Sequence, residues 1–189
     1  MNAHPGRARR HQRASTLVEL MTVLAIAAIL LAVGAPDMRR MLRAHRLNAA
    51  VTDLFNALGL ARAQAIMRGS RVELVPAADD GVDWSRGWVV MVDRDGDRRP
   101  GPGDDIIAMH GALDEGITIA SVFTTGKKPS YVAYNGAGRS CSDTSTLAAR
   151  WGSFSVTSFD QVRRIRINML GRARICDPAR DGPSCGATE

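Results

Sequence analysis

A block of positive charge followed directly by an apolar run that carries one carboxylate constrains this chain more than any other feature of it. Residues 1–13, MNAHPGRARRHQR, are polar and basic, and Leu17 to Ala35 is apolar apart from Glu19 and Thr22. At about 1.5 Å per helical residue this run reaches a little under about 30 Å, enough to cross a bilayer core. The basic flank is expected to stay cytoplasmic while the rest of the chain is exported. A carboxylate at membrane depth is costly unless it is paired, so Glu19 requires a positive partner. An ordinary secretory signal would be cut after its apolar region. Here the expected processing point is Ala14–Ser15, ahead of that region, so the apolar helix stays in the mature chain.

Beyond Pro36 the pattern turns amphipathic. Leu47, Val51, Leu54, Leu58, Ala61 and Ala65 recur at helical spacing, with Arg43, Arg46, Asp53 and Arg62 among the polar positions. The helix is predicted to run to about Arg68, with Gly69 as its C-cap and a bend, not a stop, at Pro36. From Arg71 the period becomes two, with strands expected at 71–75, 87–93, 105–109, 116–123, 131–134, 152–159, 162–169 and 172–176. The expected class is α+β: a long N-terminal helix, half membrane-spanning and half amphipathic, packed on one or two antiparallel sheets. The expected divisions are a leader at 1–14, a transmembrane and assembly helix at 15–36, the amphipathic stem at 37–69 and a β-rich exported domain at 70–189.

The run Ser15-Thr16-Leu17-Val18-Glu19-Leu20-Met21, with the apolar stretch after it, resembles the signal of type IV prepilins and type II secretion pseudopilins. The resemblance implies cutting by a prepilin peptidase, methylation of the new N-terminus, and pairing of Glu19, fifth from Ser15, with a terminal amine during assembly. Pro36 stands where that family has its helix-kinking proline. Two positions depart from the family pattern, since Ala14 replaces the usual glycine before the cut and Ser15 the usual phenylalanine after it. Further on, Leu54 to Gly69 (LFNALGLARAQAIMRG), Trp84, Gly87-Trp88-Val89-Val90-Met91-Val92-Asp93 and Gly171-Arg172-Ala173-Arg174 are similar to the GspH/FimT branch. The fold implied is the type IV pilin fold. The partners implied are other pilins of a filament, the peptidase and inner-membrane lipid.

No catalytic set stands out. The four histidines, His4, His11, His45 and His110, are scattered, and no serine has a Gly-x-Ser-x-Gly setting. The reading is therefore of a protein that is not an enzyme and takes no cofactor. Cys141, Cys176 and Cys185 include no CxxC pair, and a metal site is not expected. In an exported domain they allow one disulfide, either Cys176 with Cys185 across a short Pro/Gly loop or Cys141 with Cys176. Asp93, Asp95, Asp97, Asp104 and Asp105 have alternating acids around glycine but not the spacing of a calcium loop, and interleaved arginines argue for a solvated hairpin.

The net charge is +6, but four arginines of the leader account for most of it, and without them it is +2. Position therefore matters more than total. Read at period two, Ile165, Ile167 and Met169 fall on one face and Arg164, Arg166 and Asn168 on the other, and beyond a Leu170-Gly171 turn Arg172 and Arg174 alternate with Ala173 and Ile175. With the apolar face inward, four arginines would point outward. Exposed strand faces are often charged for solubility alone. The resemblance extends further, because minor pilins of the FimT type in naturally competent bacteria are implicated in DNA binding through Gly-Arg-x-Arg, which Gly171 to Arg174 matches. The reading is of a minor pilin binding extracellular DNA without sequence preference for uptake. The alternative is a type II secretion minor pseudopilin with a priming role and no nucleic acid.

Mass spectrometry of the protein from cells is expected to find Ser15 as the first residue, N-methylated. A chain starting beyond Ala35 would remove the basis for a retained helix.

Overall fold

The computed structural model describes residues 17–124 and 128–186, with the side chains of 32–37 left out of the description. The leader at 1–14 and the Ala14–Ser15 junction lie outside the described residues. The chain divides into two compact units, one ending at Met41 and the other beginning at Leu42.

Helix α1 spans Leu17–Arg68, and Pro36 does not end it. In the first unit the described large apolar side chains of α1 are all exposed, from Leu20 at 57% to Leu17 at 75%. Among the described residues no helix is long and apolar enough to cross a membrane. The predicted span at 15–36 begins and ends on positions outside that description.

In the second unit α1 buries one stripe: Leu47, Val51, Leu54, Leu58, Ala61 and Ala65 are all fully or nearly fully covered. It stops in a two-bond cap, in which Gly69 at φ +61° donates its N–H to Ile66 and Ser70 donates to Ala65. Among the described residues nine strands follow: β1 (Val72–Pro76), β2 (Trp88–Val92), β3 (Asp105–His110), β4 (Ile117–Phe123), β5 (Val132–Tyr134), β6 (Ser140–Cys141), β7 (Gly152–Ser158), β8 (Gln161–Ile167) and β9 (Ala173–Cys176). They form two sheets ordered β3-β2-β1-β5-β6 and β4-β7-β8-β9, with every pair antiparallel. Leu74, Trp88, Val90 and Tyr134 of the first sheet share one core with Phe154, Val156, Ile165 and Ile167 of the second and with the α1 stripe.

Three expectations need correction. Strand β8 ends at Ile167, so Met169 lies in the turn and is exposed instead of filling the core. Ile175 sits opposite Ile165 but on the edge strand, which leaves it 40% exposed. Strand β6 was not anticipated; two residues cannot display a period.

Strand β1 is buried on both faces. Its outer face carries Glu73 and Val75, beside Met91, Ala133 and Tyr131, and is roofed by charged side chains. Arg150 stacks on the Tyr131 ring at 4.0 Å and Tyr131 Oη donates to Asp143 at 2.9 Å. Arg98 pairs with Asp143 at 3.1 Å. Glu73 is fully buried, and its one ion pair, with Arg71 at 2.9 Å, leaves neither oxygen with a directed hydrogen bond among the described residues.

Burial pushes the Glu73 carboxyl up to about 7, and the Arg71 charge only partly offsets this. The folded state thus favours protonated Glu73. Its contribution is fully present below the ordinary carboxyl range and is lost as pH rises toward 7. Glu73→Gln is expected to leave stability at pH 4.5 little changed and to raise it at pH 8 by up to about 3 kcal/mol, measured by urea unfolding at both pH values.

Candidate functional site

Glu19 lies in the first turn of α1 among exposed apolar side chains, where the helix dipole favours a carboxylate. Thr22 Oγ1 donates to its carbonyl at 2.8 Å. Beyond the α1 cap, the acidic hairpin between β2 and β3 uses its carboxylates on its own backbone. Asp93 accepts from the N–H groups of Gly96 and Arg98, and Asp104 from those of Arg94 and Gly101.

The C-terminal hairpin brings the arginines together. Asn168 organises the turn, its Oδ1 accepting the N–H groups of Leu170 and Arg172, each at 3.0 Å. Gly171 is buried at φ +74°, and a Cβ there would meet Gly138 O at 2.4 Å. Its place in the motif therefore has a packing reason: only glycine lets this turn seat on the loop before β6.

Arg166 and Arg174 are directly opposed across β8 and β9, and Arg164 faces Cys176. Cys176 and Cys185 are joined, with Cα atoms 5.8 Å apart, and Cys141 is a free, buried thiol pushed up to about 11 by burial. The closed loop carries a short helix, α2 (Pro178–Asp181), capped by Asp177, whose carboxylate also pairs with Arg163 at 3.0 Å. This loop covers part of the arginine face. Arg164 donates to Cys185 O and to Ser155 Oγ, while Arg166 and Arg174 both donate to Ser184 O at 2.7 Å.

The expectation of four outward arginines is therefore altered. Arg164 and Arg166 are half-buried beneath the loop, and Arg172 and Arg174 are exposed. Arg166, Arg172 and Arg174 surround an open basin of about 650 Å³ with Ser184 and Asn168, and among the described residues no acidic side chain lines it. Next to it, Arg172 also lines a slot of about 300 Å³ against α1, shared with Arg62 and Tyr134. Neither Arg62 nor Tyr134 stood out in the sequence, although Arg62 occupies a polar position of the stem beside the buried stripe.

Residues 50–171, more than half of the chain, match the profile of the family described as type II transport protein GspH. The chain belongs to the GspH family. Residues 9–35 of this GspH-family protein match the prokaryotic N-terminal methylation motif, the mark of pilins, which are anchored in the inner membrane before assembly. No curated protein sequence matches it. The type IV minor pilin FimU of Pseudomonas aeruginosa superposes with a TM-score of 0.55 at 18% identity, over 75% of this chain and 96% of that one. A second crystal form of FimU gives 0.52 at 17% identity, over 74% and 99%. The minor pseudopilin EpsH of Vibrio cholerae gives 0.47 at 16% identity, over 71% and 99%. The FimU likeness shows the type IV pilin fold. With the family match, the protein is a minor pilin or pseudopilin, of a type IV pilus or a type II secretion system.

Gly171→Ala is expected to destabilise the protein by about 2–4 kcal/mol in urea unfolding, through the left-handed backbone and the contact with Gly138.

Proposed function

We propose that this GspH-family protein is a minor pilin of a type IV pilus that captures extracellular DNA through the basin at its C-terminal hairpin, in the service of natural transformation. The observation that carries this reading is the grouping of Arg166, Arg172 and Arg174 around one open basin. Guanidinium groups suit phosphate oxygens, and a basin of fixed cations without a stacking aromatic suits a backbone and not a base sequence. The disulfide loop supports the reading by holding two of these like charges close, through their shared acceptor Ser184 O.

In this reading the leader at 1–14 is removed by a prepilin peptidase after Ala14 and Ser15 becomes the methylated N-terminus. The segment 15–36 anchors the chain in the inner membrane, and Glu19 pairs with the terminal amine of a neighbouring pilin as the filament grows. Segment 37–69 serves as the stem, and 70–189 is the domain carried through the periplasm to the cell surface. Gly171 supports the site by seating the turn, Arg172 and Arg174 make the contacts, and Arg164 and Arg166 anchor the loop beside them. The match to the GspH profile favours a second reading, a type II secretion pseudopilin that primes a periplasmic filament without nucleic acid.

Fluorescence anisotropy of labelled duplex DNA with the purified full-length protein in non-ionic detergent separates the two. Micromolar binding that weakens steeply between 50 and 200 mM salt, on the order of tenfold or more for a few phosphate contacts, is expected. The double variant Arg172→Ala/Arg174→Ala is expected to lose it. No binding at low salt would favour the secretion reading.

A further inference from the structure

The slot between α1 and the C-terminal turn has a composition that the packing of the core does not require. Arg62 donates its Nε to Gly138 O at 2.8 Å, and no partner among the described residues takes its terminal nitrogens. Arg172 is exposed on the other side, likewise without a side-chain partner among the described residues. Tyr134 lines the same slot, fully buried, and its hydroxyl has no hydrogen-bond partner among the described residues. A buried hydroxyl normally finds a partner, and Tyr134 lines a doubly cationic slot, so its unmatched hydroxyl points to an acceptor supplied from outside. Gly59 lies on the helix at the mouth, and a Cβ there would meet nothing within 4 Å. The slot and the larger basin share Arg172 and Ala173, which makes Arg62, Arg172, Arg166 and Arg174 one track from the stem to the disulfide loop.

We propose that this slot is a second phosphate subsite, in which Arg62 and Arg172 pair with a backbone phosphate of bound DNA and the Tyr134 hydroxyl donates a further hydrogen bond. The inference rests on the DNA-binding reading and extends it from the hairpin onto the stem helix. DNA would then lie across the α1 face near Gly59, and the number of phosphates engaged would exceed what the hairpin alone contacts.

The test is the same anisotropy titration at several salt concentrations, using full-length protein in detergent and four variants. Gly59→Glu adds a carboxylate at the mouth of the slot, in open space and with better helix propensity, so folding is kept. It is expected to weaken binding at least fivefold, while Gly59→Gln, of similar bulk and no charge, binds as the unmodified protein does. Arg62→Gln is expected to lower the slope of log K against log salt by about one. Tyr134→Phe is expected to weaken binding roughly two- to tenfold. If Gly59→Glu or Tyr134→Phe binds normally, or Gly59→Gln weakens binding as much as Gly59→Glu, the subsite is overturned. In that case loss of binding in Arg172→Ala/Arg174→Ala still upholds the hairpin as the site. If the unmodified protein binds no DNA, both readings fall together.

Discussion

Burial of one apolar stripe of the stem helix between two sheets is the interaction on which the rest of this domain depends. Leu47, Leu54 and Leu58 are wholly enclosed, and each large side chain so buried contributes about 1.5–3 kcal/mol. Ala50, Ala57, Ala61 and Ala65 alternate with them, and their small size lets backbone approach the helix closely. Both sheets use this stripe as a shared wall: Leu74 and Val132 pack from one side, Phe154 and Ile165 from the other. Neither sheet would keep a closed core without it. The turn before β6 is tied to the same helix through Arg62, and the C-terminal turn is seated on it through Gly171. The arginine track therefore inherits its geometry from the stem.

Charge is handled differently on the two sides of the domain. Over the outer face of the first sheet, Arg98, Arg150 and Asp143 surround Tyr131, and an opposite charge and an aromatic ring take up the cations. At the C-terminal hairpin no carboxylate of the described residues lines the basin, and the disulfide loop supplies a neutral carbonyl oxygen to Arg166 and Arg174. Carbonyls orient guanidinium groups without cancelling their charge. A surface built this way remains attractive to an anion, whereas over Glu73 the arginines are taken up by Asp143 and the Tyr131 ring.

Much of the fold was legible along the chain because its signals are local. The stem stripe repeats at helical spacing, Gly69 supplies the left-handed residue its cap needs, β1 and β2 are short, largely apolar runs set between glycine-marked turns, and β7 alternates apolar with polar residues. The hairpin shows where local reading fails. Alternation continued through Met169 in the sequence, yet the turn begins at Asn168 because that side chain captures two backbone N–H groups and diverts the strand. Ile175 kept its face but lay at an edge with nothing beyond it. Strand β6 is a two-residue hairpin partner of β5, too short to show a period, and the buried position of Glu73 arises from pairing with β2 and β5, which no period records.

By itself the sequence determined the class of this protein. A basic N-terminal segment, an apolar run holding Glu19, a proline at 36 and an amphipathic continuation are properties of consecutive residues, and they read the same however the rest of the chain folds. Tertiary structure alone decided which arginines face solvent. Arg164 and Arg166 look as outward as Arg172 and Arg174 until a loop closed nine residues apart in sequence is laid over them, and Arg62 joins Arg172 only because helix and hairpin pack together. Exposure is set by what lies across from a residue, and contact between segments far apart in sequence leaves no periodic trace along either one.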